Sequence, residues 1–287
     1  MPWYVAEFAV PDEIGEAAAE VLKAHGADGV AEEWRQEQHF VRGFWCDAAE
    51  EQVAAVTELA LRQLVEVGLL DEIPPVTLTT MEDRDWLEGW KQYFSPQEVS
   101  PRLAITPSWE SFTPRPGQAV VVLDPGMAFG TGTHGTTFTC LQALSYYLTP
   151  GMRVCDVGAG SGILAIAAIK LGAGTVTAID NDPLAVRVAQ ENADLNHVRA
   201  LIDFHVAELL ATEHGRYDLI IANILAPVII ALIPQLPPVL EPGGLFISSG
   251  YLVSQEDDIR AALRAAGHAI LARYEREGWV TLVSRGE

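Results

Sequence analysis

Apolar strands alternate with helices over the last two thirds of this sequence, and that alternation restricts the fold more than any other feature. The strand-like runs are almost continuously apolar, which is typical of strands covered by helices on both faces. The predicted strands are RLAITP, AVVVLD, RVCDVG, TVTAID, DFHVA, DLIIANI, LFISSG, HAILARYE and WVTLVSR. Helices are predicted from Thr136, Gly162, Pro183, Ala226 and Ser254. The pattern indicates one doubly wound α/β domain with a mostly parallel sheet over residues 102–287.

The first 81 residues follow a different plan. Two segments with helical spacing, one from Asp12 and one from Asp47, separate four strand-like runs, WYVAEFAV, GVAEEW, HFVRGFWC and VTLTTM. The order β-α-β-β-α-β is that of a small ferredoxin-like α+β domain with an open sheet face. Such a domain by itself indicates a binding or structural module and not an enzyme.

Residues 82–101 are predicted to be a linker helix between the two domains. In EDRDWLEGWKQYFSP four aromatic side chains fall on one side of a short helix: Trp86, Trp90, Tyr93 and Phe94. Such a stripe could receive a ligand, but packing of the helix on a neighbouring domain is the favoured interpretation.

Composition excludes several classes of protein. The three cysteines are far apart in sequence, so neither a disulfide framework nor a zinc site is predicted, and no metal is expected. The segment from Leu219 to Leu240 has no charged residue, but its prolines favour a buried strand, helix and loop over a membrane span. Because MPWYVAEFAV lacks the features of a secretory signal, a cytoplasmic location is expected.

Negative charge is concentrated in the first part of the chain. Residues 1–100 carry 21 acidic and six basic side chains, against 18 and 12 in the remainder. This balance argues against nucleic acid as a direct partner, because neutralising phosphates requires clusters of Lys and Arg. Two interpretations stay open for the acidic part: a surface that attracts a basic protein, or a solvated surface that keeps the protein soluble.

Two glycine-rich loops are candidate ligand sites, and the first is DPGMAFGTGTHGTT, residues 124–137. It has Thr136 where a phosphate-binding loop requires Lys, so a nucleoside triphosphate site is not supported. It also matches G-x-G-x-x-G, but DPGMAF separates that match from its strand. The tight strand-turn-helix geometry of a dinucleotide loop is therefore missing.

The second loop, in VCDVGAGSGIL, directly follows a strand and opens a helix. It reads D-x-G-x-G-x-G, with Asp156 followed by Gly158, Gly160 and Gly162. Ile163 stands at the position of the third glycine of a dinucleotide fold, so a ligand without a pyrophosphate is favoured. Asp180 ends the next strand, where its carboxylate can accept both hydroxyls of a ribose.

These features together predict S-adenosylmethionine as the cofactor. Its ammonium and sulfonium would be served by Asp156 and by backbone carbonyl groups of the loop. The alternative is a tight turn whose glycines serve packing only, although loop, strand and acidic residue occur together. A nicotinamide dehydrogenase is a remote alternative.

Asn223, in DLIIANILAP, is predicted at the carboxyl end of a buried strand, where an amide is costly unless it is hydrogen-bonded. Its oxygen could accept a hydrogen bond from an incoming amine and leave the nitrogen lone pair directed at the methyl group. Asn223 is therefore the candidate catalytic residue. The alternative is that Asn223 caps the following helix.

Several motifs together resemble one family. They are LDPGMAFGTGTHGTT, DVGAGSGILAIAAIKLGA, AIDNDPLA, IIANILAP, EDRDWLEGWKQYF and RLAITPSW. All are similar to PrmA, the bacterial methyltransferases of the eleventh large-subunit ribosomal protein. The similarity covers essentially the whole chain, up to EGWVTLV. It implies a Rossmann-like class I methyltransferase domain that binds S-adenosylmethionine, preceded by a ferredoxin-like domain that recognises the ribosomal protein.

The resemblance also implies roles for individual groups. The substrates would be lysine ε-amines and the N-terminal α-amine, methylated up to three times. Cofactor contacts would fall on Thr137, Gly158, Asp180 and Asn223. The first glycine loop would be a lid over the cofactor, with Phe129, Gly130, Thr131 and Thr137 nearest it. A monomer without membrane contact is expected.

Two other functions stay open. One is a similar lysine methyltransferase that acts on a different protein, since the catalytic domain does not identify its substrate. The other is a factor that binds S-adenosylmethionine without turnover. The joint presence of Asp180, Asn223 and the lid loop counts against it.

Overall fold

The structure, a computed structural model, describes residues 2–11, 14–35, 38–46, 48–82, 95–124, 135–207 and 215–286. It divides into two units, Met1–Phe94 and Ser95–Glu287. Each unit buries apolar side chains of its own between helices and sheet. Among the described residues, no helix is both long and apolar enough to span a bilayer.

In the N-terminal unit the helices and strands come in the predicted order. They are β1 (Pro2–Val10), α1 (Gly15–Ala24), β2 (Gly29–Arg35), β3 (Gln38–Cys46), α2 (Glu50–Glu66) and β4 (Thr77–Glu82). The strands lie in the order β2-β3-β1-β4, and neighbouring strands are antiparallel. This arrangement confirms the ferredoxin-like prediction.

Strand alternation gives this sheet one apolar and one charged face. Phe8 and Val10 of β1 are buried in the core formed with the helices. Glu7 precedes Phe8 directly and therefore faces the other side of the sheet. There its carboxylate accepts hydrogen bonds from the guanidinium groups of Arg35 and Arg42. The face away from the helices thus carries ion pairs.

The C-terminal unit contains the remaining elements. Its strands are β5 (Gln97–Ser100), β6 (Leu103–Thr106), β7 (Ala119–Val122), β8 (Arg153–Val157), β9 (Thr175–Asp180), β10 (Ile202–Val206), β11 (Tyr217–Asn223), β12 (Leu240–Leu252), β13 (His268–Arg276) and β14 (Trp279–Gly286). Its α-helices, within the described residues, are α3 (Gly135–Tyr147), α4 (Ile163–Lys170), α5 (Pro183–Leu195), α6 (Ala226–Leu232) and α7 (Glu256–Ala265).

One seven-stranded sheet has the order β10-β9-β8-β11-β12-β14-β13. The first five of these strands are parallel, and β14 runs antiparallel to both β12 and β13. This topology confirms the predicted class I, Rossmann-like fold. The strand order reverses between β8 and β11, and ligands of open α/β sheets bind in the crevice at such a reversal.

Helices cover both faces of this sheet. Residues of α3 and α4 pack on one face and residues of α6 and α7 on the other. The uncharged run from Leu219 to Leu240 supplies β11 and α6, and its central side chains, such as Ile221 and Ile229, are fully buried. The prediction that this run is core and not a membrane span is therefore confirmed.

The segment between the domains differs from the predicted linker helix over residues 82–101. Most of that helix, with its aromatic stripe, falls on residues 83–94, which lie outside the described residues. Its last part, Gln97–Ser100, is not helical and forms β5, which pairs antiparallel with β6. Val99 is buried in the core of the C-terminal unit, and this burial favours a strand over a solvated linker.

Candidate active site

The loop from β8 to α4 is shaped by its three glycines. Gly158, Gly160 and Gly162 have φ values of 74°, 53° and 77°, a left-handed conformation that other residues adopt at a cost. A Cβ on Gly158 would lie 2.2 Å from Cγ2 of Ile224, and one on Gly162 would lie 2.9 Å from Cβ of Ala189. Backbone conformation thus favours glycine at all three positions, and close packing also requires it at Gly158 and Gly162.

Asp156 lies beneath this loop and is fully buried. One carboxylate oxygen, Oδ2, accepts a hydrogen bond from the backbone N–H of Ala165 at 3.0 Å. The other, Oδ1, has no hydrogen-bond partner among the described residues. Burial raises the pKa of Asp156 to about 7. The hydrogen bond from Ala165 lowers this pKa, and the negative charge of Asp180 raises it further. A cationic ligand group near Oδ1 would favour the ionised form.

The raised pKa makes the stability of the ligand-free protein depend on pH. An acid whose pKa is higher in the folded state than in the unfolded state makes a contribution to stability that is fully present below its unfolded-state pKa. That contribution is lost as pH rises through its folded-state pKa, which is about 7 for Asp156. We expect the free energy of unfolding of the parent to fall as pH rises from 5 to 8.5, relative to that of Asp156→Asn. Urea titrations at several pH values measure both. Parallel profiles for the two proteins would contradict this result.

Asp180, at the end of β9, closes the glycine loop. Its Oδ2 accepts the N–H of Gly160 at 2.9 Å, and its Oδ1 accepts the N–H of Asp182 at 3.0 Å. Each oxygen keeps a second lone pair, because a carboxylate oxygen can accept two hydrogen bonds. Asp180 therefore holds the loop in place and can still accept hydrogen bonds from further hydroxyl groups.

Asn223 ends β11, directly beside the β8 loop in the sheet. Its Nδ2 donates a hydrogen bond to Oγ1 of Thr137, in the first turn of α3, at 3.3 Å. Its Oδ1 is buried and has no hydrogen-bond partner within the part of the chain that the structure describes. The N-cap of α6 is Leu225 and shows no side-chain capping bond, so the helix-capping alternative for Asn223 is wrong.

The described site residues form two groups at the same edge of the sheet. One contains Asp156, Gly158, Gly160 and Asp180, and the other contains Thr137 and Asn223, which are 86 residues apart in sequence. The lid prediction for Phe129, Gly130 and Thr131 falls outside the described residues.

Comparison with known proteins identifies the family of this chain. The profile of the family described as ribosomal protein L11 methyltransferase (PrmA) matches residues 2–287. The chain belongs to this family. A relative from Heliobacterium modesticaldum, named ribosomal protein L11 methyltransferase, is 36% identical over 99% of this chain and 98% of its own length. One from Exiguobacterium sp. with the same name is 43% identical over 78% of this chain and 71% of its own.

A solved structure agrees. The ribosomal protein L11 methylase of Lactobacillus delbrueckii subsp. bulgaricus is 38% identical, with a TM-score of 0.62, and the match covers 68% of this chain and all of the other. Membership of the PrmA family confirms the predicted enzyme class, a methyltransferase that depends on S-adenosylmethionine.

The described residues fit that cofactor. Asp156 Oδ1 and Asn223 Oδ1 are buried acceptors without partners among the described residues, at the carboxyl edge of adjacent parallel strands. Unpaired buried acceptors are costly, and a ligand that brings donors or positive charge would satisfy them. S-adenosylmethionine carries both an ammonium and a sulfonium, so the acceptor set of the site suits this cofactor.

Sequence reasoning missed the residues that hold Asn223 in this site. Gly250, at a φ of 94°, packs so closely that a Cβ there would lie 2.3 Å from the carbonyl oxygen of Ile224. The N–H of Ile224 donates to the carbonyl oxygen of Ser249 at 3.1 Å. The glycine that ends LFISSG was the available signal, but its partner, Ile224, follows another strand and no local pattern indicates it.

Proposed function

We propose that this chain transfers methyl groups from S-adenosylmethionine to amines of ribosomal protein L11, at lysine ε-amines and the N-terminal α-amine, up to trimethylation. The observation that carries this proposal is the Asn223 side chain. Its amide nitrogen is held by Thr137, and its buried oxygen is left to accept an N–H. A primary amine is the substrate group that offers such a donor beside a reactive lone pair.

The cofactor would be held by both groups of site residues. We assign its ribose hydroxyls to Asp180, its ammonium to Asp156 and the loop carbonyls, and further contacts to Gly158, Gly160 and Thr137. Phe129, Gly130 and Thr131 are assigned to a lid over the cofactor. When bound, S-adenosylmethionine supplies a methyl group on a positively charged sulfur.

The substrate amine must lose a proton before it can attack. For a lysine with a reference pKa of ~10.4, deprotonation at pH 7 costs about 4.6 kcal/mol, against roughly 1 kcal/mol for an α-amine. Burial beside positive charge lowers an amine pKa and offsets part of this cost. We assign water as the acceptor of this proton, because no His or Glu of the motifs is placed by the sequence as a general base.

Asn223 Oδ1 then orients the neutral amine. By accepting one N–H, it turns the nitrogen lone pair toward the methyl group for an in-line displacement. A carbon–nitrogen bond forms as the carbon–sulfur bond breaks. Repetition requires that the amine lose a proton and turn again in the same site. The neutral monomethylated amine still has one N–H to donate to Asn223, whereas the neutral dimethylated amine has none, so Asn223 orients the first two transfers and not the third.

We assign substrate recognition to the ferredoxin-like domain, residues 1–81, joined by residues 82–101 to the methyltransferase domain, residues 102–287. The excess of acidic residues in the first 100 positions supports this assignment, because ribosomal proteins that bind RNA are basic. A ribosomal substrate also supports a cytoplasmic location. The enzyme is proposed to act as a monomer.

Mass spectrometry of purified ribosomal protein L11 tests the proposal. Incubation with this enzyme and S-adenosylmethionine is expected to add mass in steps of one methyl group, and incubation without the cofactor to add none. Substrate whose α-amine has been acetylated beforehand separates lysine methylation from N-terminal methylation. If cofactor binding is intact and no mass is gained, the assignment of L11 is wrong, and parallel incubation with a cell lysate would reveal another protein substrate.

A further inference from the structure

Three buried hydroxyl groups form a continuous chain in the C-terminal unit. Oγ1 of Thr139, on α3, lies 2.7 Å from Oγ1 of Thr281 on β14, which lies 2.7 Å from Oγ of Ser249 on β12. Thr139 is 2% exposed, and the other two are fully buried. We call these three side chains the hydroxyl chain.

Carbonyl groups end the hydroxyl chain on both sides. Ser249 Oγ lies 2.9 Å from the carbonyl oxygen of Val280, and Thr139 Oγ1 lies 2.9 Å from that of Gly135. Thr281 donates to Ser249, which donates to the carbonyl oxygen of Val280. The single proton of Thr139 goes either to Thr281 or to the carbonyl oxygen of Gly135. Every hydroxyl proton of the chain therefore has an acceptor, as buried hydroxyl groups require.

Each end of the hydroxyl chain lies close in sequence or strand register to Asn223 or to its hydrogen-bond partner. Thr139 is two positions after Thr137 in α3, and Thr137 accepts the Asn223 amide N–H. Ser249 is the direct register partner of Asn223 in the pairing of β11 with β12. The hydroxyl chain therefore ties the first turn of α3 to the strand beside Asn223.

The hydrogen bond between Asn223 and Thr137 depends on the position of α3 and is long. Nδ2 of Asn223 and Oγ1 of Thr137 are 3.3 Å apart, near the outer limit for a hydrogen bond. A shift of α3 by a few tenths of an ångström away from the sheet would break the bond, and the Asn223 amide could then turn its oxygen out of the site.

We propose that Thr139, Thr281 and Ser249 are positioning residues for methyl transfer, and that the hydroxyl chain keeps the Asn223 oxygen directed at the substrate amine. This inference rests on the proposed function, in which Asn223 Oδ1 orients that amine. The hydroxyl chain acts through Asn223 and touches neither substrate nor cofactor.

Thr281→Val and Thr281→Ser form a matched pair of variants. Valine keeps the shape of threonine and removes the hydroxyl, whereas serine keeps the hydroxyl. In Thr281→Val the other two hydroxyls retain the carbonyls of Val280 and Gly135 as partners, so the fold is expected to persist. We expect kcat for methylation of L11 to fall by about tenfold or more, with KM and cofactor Kd within about threefold of the parent. Thr281→Ser is expected to restore kcat.

The decisive measurement repeats Thr281→Val in an Asn223→Ala background. If the hydroxyl chain acts through Asn223, the second substitution has no further effect on kcat, since coupled residues are not additive. Two independent, additive losses, or an unchanged kcat in Thr281→Val alone, would overturn the inference. If Thr281→Val does not fold, Thr139→Val carries the same test, because Thr281 and Ser249 keep the Val280 carbonyl as acceptor.

The same experiment separates this inference from the proposed function. A parent enzyme that does not methylate L11, or an Asn223→Ala variant with full turnover, refutes the proposed function before Thr281 is considered. A large loss in Asn223→Ala together with normal turnover in Thr281→Val refutes the hydroxyl chain alone.

Discussion

Replacing Asn223 with alanine is expected to lower kcat for methylation of ribosomal protein L11 by about 10²–10³, the range seen when one preorganised hydrogen-bonding group is removed from an active site. The variant loses both the acceptor for the substrate N–H and the partner of Thr137. Without that acceptor, the amine binds in several rotations, of which few direct the lone pair at the methyl group. The measurement is single-turnover methylation followed by mass spectrometry, beside a separate titration of cofactor binding.

Gln235→Ala is a suitable control, since it removes a side-chain amide that, among the described residues, bonds to the carbonyl oxygen of Ala231 one turn away. Its turnover should match that of the parent. Full turnover by Asn223→Ala with unchanged cofactor affinity would show that the amide does not orient the amine. A loss explained wholly by weaker cofactor binding would move Asn223 from the catalytic to the binding role.

The Gly158→Ala substitution is expected to damage both the fold and the cofactor site. The new Cβ would lie 2.2 Å from Cγ2 of Ile224, at a φ of 74°. Overpacking and the left-handed conformation each cost about 1–3 kcal/mol, so the free energy of unfolding should fall by roughly 2–6 kcal/mol. Because Ile224 directly follows Asn223, its displacement should also abolish most turnover. Urea unfolding and calorimetric titration with S-adenosylmethionine measure the two effects.

Two further variants separate the causes of this damage. Gly151 has a similar φ of 87°, and a Cβ added there would meet no other atom within 4 Å, so Gly151→Ala shows the conformational cost alone, about 1–3 kcal/mol. In an Ile224→Ala background the close contact is gone, and Gly158→Ala should cost no more there than Gly151→Ala does. If Gly158→Ala is as mild as Gly151→Ala in the parent, the packing explanation is wrong.

Much of the fold was predictable because its signals are local. The near-continuous apolar strands indicated a parallel sheet covered on both sides, and the order of elements in the first 81 residues indicated the ferredoxin-like plan. The β8 loop was predictable for the same reason, since Asp156, Gly158 and Asp180 keep fixed short spacings around one strand-turn-helix unit. The strand at Gln97–Ser100 was missed, because only its pairing with β6 makes it a strand.

The sequence by itself determined the element order, the glycine loop, the acidic residue that closes it and the family. Tertiary structure alone decided that Asp156 is fully buried, that Asn223 bonds Thr137 and does not cap α6, and that Thr139 meets Thr281, 142 residues away. Periodicity and turn chemistry depend on neighbours along the chain and can be read from it. A hydrogen bond between distant residues depends on how helices and strands pack, and several pairings of the same side chains satisfy the same local pattern.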